Sequence, residues 1–157
     1  MTHLISLALF MMVVASVVSA QTPSVDHYSA ADLAQKSKQL KVLAEQKPDG
    51  SAGETLKKYP GHFTMISVRN KPGVAELHAH HADIFFVVDG SAVLVTGGTI
   101  LNSKTTEEGE IRGTVIEGGS STKLAKGDVV HISPNTPHQL QISAGDTFTY
   151  FVVKVHE

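Results

Sequence analysis

The larger part of this chain reads as an all-β fold, a sandwich or barrel; one observation predicts it and a second bounds what holds it together. From His62 onward, short runs rich in Val, Ile, Phe and Thr alternate with Gly, Pro, Asn and Asp, and no helical period intervenes. Cysteine is absent, so the fold must rest on a packed core, a metal or association rather than on disulfides.

The chain has 157 residues. Residues 1–20, "MTHLISLALFMMVVASVVSA", carry an apolar run from Leu4 to Val18 followed by the small residues Ser19 and Ala20. That layout predicts a signal peptide cleaved before Gln21, because the run is short for the ~20 residues a bilayer span needs. The mature protein is then expected outside the cytoplasm, secreted or periplasmic, with no membrane attachment. Residues 21–58 are read as a helix and linker. Ser29 with Asp32 three positions later forms a capping-box start, and Leu33, Leu40, Leu43 and Ala44 share a narrow apolar face. "KPDGSAG" then breaks the helix.

Residues 59–157 carry the strands. The expected ones are "HFTMISV", "VAELH", "DIFFVVD", "SAVLVTG", "GTVIEGG", "DVVHIS", "HQLQI" and "TFTYFVVKV". Gly97 to Gly119 is polar in its middle and β-type at its ends, which predicts a long hairpin excursion. The aromatics Phe85, Phe86, Phe148, Tyr150 and Phe151 are expected to pack in the core. The length suits one domain with one core, and a net charge of −2 supplies no basic field for nucleic acid or anionic lipid.

The chemistry concentrates in "ELHAHHAD", Glu76 to Asp83. Side chains alternate across a strand, so Glu76, His78 and His80 share a face if the strand continues through them, with His81 opposite. Far along the chain, "GDVVHISPNTPHQL" starts a strand at Asp128 and delivers His138 after a turn. Imidazole with carboxylate is a ligand set for Mn, Fe, Co, Ni or Zn. His131 shares a face with Val129 and Ser133, and lines the pocket if that face points inward. Arg112 in "GEIRG" can reach the barrel mouth to hold an anion.

These two segments resemble the motifs of the cupin superfamily, small jelly-roll β-barrels that usually carry one divalent metal. The first family motif, G-x5-H-x-H-x3,4-E-x6-G, is recognisable across Gly73 to Gly90, with Asp83 in the Glu place. The second, G-x5-P-x-G-x2-H-x3-N, covers Gly127 to His138, with Ser133 and Asn135 in the Pro and Gly places; its last Asn falls on Ile142. The resemblance spans roughly Tyr59 to Val155. It implies a cupin barrel binding one divalent transition metal, Mn, Fe, Ni or Zn, through His78, Asp83 and His138. The fourth ligand is Glu76 if the turn is Ala79 to Ala82, or His80 if the family's His pair is the literal "HAH". A turn of His81-Ala82 lacks the Gly or Asn of a two-residue hairpin, which favours Glu76.

The resemblance also implies a small oxygen-bearing ligand or substrate and a homodimer. The function expected is that of a mononuclear metal-dependent enzyme, a dioxygenase or an isomerase/lyase. A non-catalytic small-molecule binder and a metal-free, partner-binding barrel are the alternatives. No phosphate loop or Ser–His–Asp arrangement competes with them.

Overall fold

The computed structural model describes residues 25–157; the expected signal peptide, residues 1–20, lies outside them. One helix and thirteen strands follow one another along the described chain. Helix α1 is Ala30–Glu45, then β1 Ser51–Lys58, β2 His62–Arg69, β3 Ala75–His78, β4 His81–Asp89, β5 Ser91–Thr96 and β6 Thr99–Ile100. After these come β7 Lys104–Glu107, β8 Glu110–Gly113, β9 Ile116–Glu117, β10 Ser120–Ala125, β11 Val129–Ile132, β12 His138–Gln141 and β13 Phe148–His156. No described helix is long and apolar enough to cross a membrane.

The capping box forms as expected. Asp32 N–H donates to Ser29 Oγ at 3.1 Å, and Ser29 N–H donates to Asp32 Oδ2 at 3.0 Å. Leu40 and Ala44 dock on the outer face of β1 and β2, against Ala52, Ile66 and Val68, with Leu33 partly buried beside them. Leu43 lies off this stripe and stays half exposed. Leu40→Ala should therefore lower stability by about 2–4 kcal/mol. The measurement is the urea midpoint at constant slope; a shift below about 0.5 kcal/mol would mean α1 is not docked in solution.

Two sheets face each other, in the orders β1-β2-β13-β4-β11 and β10-β5-β12-β3-β8-β7. Phe85, Leu94, Leu124, Leu140, Phe148 and Val152 interdigitate between them as the main core. Aromatic packing is observed at Phe85, Phe148 and Tyr150, whereas Phe86 is exposed.

The boundary expected at residue 59 needs correction. Ser51–Lys58, read as part of the linker, is β1 and pairs along its length with β2. Strand β10 carries no apolar run either. Both are sheet edges with one neighbour each, so little of their surface needs apolar residues. The excursion at Gly97–Gly119 is a nested hairpin, with β6 on β9 and β7 on β8. Strand β8 also pairs with β3, which draws the excursion into the barrel wall.

Candidate metal centre

Sheet register assembles the site. On β3, Glu76 and His78 face inward while Ala75 and Leu77 face out. Glu76 lies opposite His138 on β12 and opposite Arg112 on β8, and His78 lies opposite Glu110. Residues more than sixty apart in sequence thus form one row across three strands. From the other sheet, Asp83 on β4 points into the same space, with Lys154 of β13 as its cross-strand partner.

The Ala79-His80 connection is not a hairpin. Strands β3 and β4 belong to different sheets, and the two residues form the corner between them. The rule that a tight turn needs Gly or Asn does not apply to such a corner, and the four-residue turn Ala79–Ala82 does not form. His80 lies outside the Glu76, His78 and His138 group. It sits exposed at the corner, its ring 6.3 Å from that of His156. His81 opens β4 and packs beside His156 at 5.2 Å.

Glu76, His78 and His138 present one ligand atom each within 4.8 Å of one another, a group that can hold a metal ion. Their orientation is held from behind. His78 Nδ1 lies 2.7 Å from Glu110 Oε2 and His138 Nδ1 lies 2.9 Å from the Thr136 carbonyl. Both partners are acceptors, so each Nδ1 carries a proton and donates it. In the neutral rings each Nε2 then keeps its lone pair. Those two nitrogens point at Asp83 Oδ2, at 3.3 Å from His78 and 3.5 Å from His138. His138 Nε2 is also 3.6 Å from Glu76 Oε1, yet it is fully buried and has no hydrogen-bond partner. A buried ring nitrogen aimed at two carboxylates without bonding either leaves room for an ion between them.

The carboxylates are held in turn. Lys154 Nζ lies 2.7 Å from Asp83 Oδ1 as a charge contact, without the alignment of a hydrogen bond, which leaves Oδ2 for the histidines. Arg112 Nη2 lies 2.8 Å from Glu110 and its Nε 3.4 Å from Glu76 Oε2. Burial opposes ionisation of Glu76, but His138 and Arg112 outweigh it and hold the carboxyl down at about 2. Burial likewise opposes ionisation of Asp83, and His138, His78 and Lys154 hold it far below the usual carboxylate range. His138 is the reverse case. Burial pulls it down, but Asp83 and Glu76 outweigh burial and raise it to about 9.

The loop before His138 is pinned by Asn135, which adopts φ +59, a conformation glycine takes freely and asparagine tolerates. Its backbone N–H donates to the His78 carbonyl at 2.8 Å. His131 takes the surface alternative. It is exposed on the outer face with Val129, because Val130 and Ile132 are the β11 residues that turn inward. Arg112 does reach the cavity.

Glu110, Lys154, Arg69 and Tyr150 line the same cavity, and motif reading did not single them out as site residues. The alternation of β13 places Tyr150, Val152 and Lys154 on one face, which is the only signal for Lys154. Glu110 had none, since nothing local shows that β8 pairs with β3. The cavity measures about 520 Å³ and opens between β1, β2 and β13 on one side and β3, β7 and β8 on the other.

No family model matches this sequence, and no curated protein matches it. Among solved structures, similarity appears to a protein with a double-stranded β-helix domain from Klebsiella pneumoniae, 16% identical, covering 67% of this chain and 76% of that one, at TM-score 0.50. TT1209 from Thermus thermophilus is 12% identical over 70% of this chain and 87% of that one, at TM-score 0.51. A cupin 2 conserved barrel domain protein from Rhodopseudomonas palustris is 19% identical over 67% and 60%, at TM-score 0.48. At these identities the likeness shows the fold. The chain is a double-stranded β-helix barrel with a short N-terminal helix and a group of His and Glu side chains that could hold a metal.

Proposed function

We propose that the barrel binds one divalent transition ion through His78, His138 and Glu76, with Asp83 completing the set, and acts on a small oxygen-bearing molecule in the cavity. The convergence of two lone-pair nitrogens, each backed by an acceptor, on a space walled by carboxylates carries this reading. Two imidazoles with two carboxylates form an oxygen-rich set suited to Mn²⁺ or Fe²⁺, with Ni²⁺ and Zn²⁺ as competitors. A metal bound there supplies Lewis acidity and orientation to an oxygen donor, the chemistry of an oxygenase or an isomerase/lyase.

The protein's own groups do the rest. Glu110 and the Thr136 carbonyl keep the imidazoles in the ligating tautomer. Lys154 and Arg112 balance the charge of Asp83, Glu76 and Glu110, and Phe63, Met65 and Phe85 give the chamber an apolar side. Export before Gln21, argued from residues 1–20, belongs to this reading, and it would place the reaction outside the cytoplasm.

The test is elemental analysis of the mature protein, purified without a metal-scavenging tag. Calorimetric titration with Mn²⁺, anaerobic Fe²⁺, Ni²⁺ and Zn²⁺ accompanies it. One equivalent of ion per chain is expected. Failure of all four ions to bind the chelator-stripped protein overturns the proposal.

A further inference from the structure

Three cations line the cavity, and they are not equivalent. Arg112 is paired with Glu76 and Glu110, and Lys154 with Asp83. Arg69, on the inner face of β2, forms no ion pair among the described residues. Its Nε donates to the Tyr150 hydroxyl at 3.2 Å. The charges of Glu76 and Asp49 reach it without contact. The guanidinium lies over Gly73, where an added Cβ would meet Nη1 at 3.1 Å. A partly buried guanidinium with one of its five N–H groups engaged is an incomplete arrangement, because desolvating a cation is unfavourable unless an anion or further acceptors compensate.

We infer that the Arg69–Tyr150 corner is an anion subsite that takes the carboxylate of a small carboxylic acid, beside the proposed metal centre. The planar fork of the guanidinium matches a carboxylate edge to edge. The Tyr150 hydroxyl accepts from Arg69, so its own proton remains to donate to a ligand oxygen. A monoanion fits better than a phosphoryl dianion, since Glu76, Asp83 and Glu110 already charge the chamber and Glu107 and Glu108 line it as well. The substrate is then held at two points, its carboxylate on Arg69 and a second oxygen toward the histidines. That second point rests on the proposed function; the first does not.

The experiment measures binding of lactate and mandelate, their neutral amides, and methyl phosphate, by calorimetry on chelator-stripped and metal-loaded protein. Each acid should bind at least tenfold more tightly than its amide in both forms. Arg69→Gln should erase that preference, and Arg69→Lys should restore part of it, with ion content unchanged in both variants. Equal binding of acid and amide overturns the inference, as does an acid preference that survives Arg69→Gln or tighter binding of methyl phosphate. Because the stripped protein is one arm, a failure of the metal reading leaves this result decisive.

Discussion

His138→Ala and His78→Ala should each strip the protein of bound metal, whereas Glu110→Gln should weaken binding by about 10–100-fold and leave a measurable site. The gradation follows from position. Each histidine contributes the nitrogen that faces the shared space, and no neighbouring donor stands ready to replace it. Glu110 touches only the far side of His78, where it fixes the tautomer and raises the basicity of Nε2. A Gln there can still accept the Nδ1 proton but brings no charge. Ion content per chain and dissociation constants from chelator competition are the measurements. Full occupancy in both histidine variants refutes the ligand assignment, and a Glu110→Gln loss as severe as His138→Ala would make residue 110 a ligand itself.

Stability should vary with pH differently in the metal-free and metal-loaded protein, falling between about pH 6.5 and 9 only where His138 is free to hold a proton. In the metal-free form His138 is raised from near 6.5 to about 9 by the two carboxylates, against the opposing effect of burial. A raised folded-state value means the stabilisation is fully present below about pH 6.5 and is lost as pH climbs through 9. Its size is on the order of 3 kcal/mol. Glu76 works on the acid side. Its contribution is present above pH 4.5 and fades as pH falls toward about 2.

A metal needs the neutral imidazole, so the same proton competes with it. Affinity should rise roughly tenfold per pH unit up to about 9, and about one proton should be released per ion bound at pH 7. Thermal melts from pH 6 to 9.5, with chelator and with saturating ion, read both slopes. Other titrating groups act on both forms, so the difference isolates the site. Parallel curves, with no proton released, would contradict this assignment.

Much of the barrel was legible along the chain because buried strands must carry apolar residues at a period of two. The runs at 62–68, 83–89 and 147–155 announced themselves for that reason. The edges, β1 and β10, did not, since a strand with one neighbour can be polar on most of its surface. The site was half legible. His78, Asp83 and His138 were placed by the order and spacing of two motifs, and Glu76 was one of two choices. The places of His80 and His131 were left open by local reasoning. Alternation shows which residues share a face but not which face looks inward, and turn chemistry assumes the flanking strands pair with each other.

Sequence alone determined the residue types of the centre, the alternation that sets Glu76 and His78 on one face, and the capping box of α1. All of these act over a few residues. Only the tertiary structure decided that β3 turns a corner into the opposite sheet, that β8 swings in to lay Glu110 and Arg112 beside the histidines, and that Arg69 has no ion pair among the described residues. Those outcomes depend on which strands become neighbours. Pairing of distant strands is settled by burial and register across the whole barrel, which no short stretch of chain encodes.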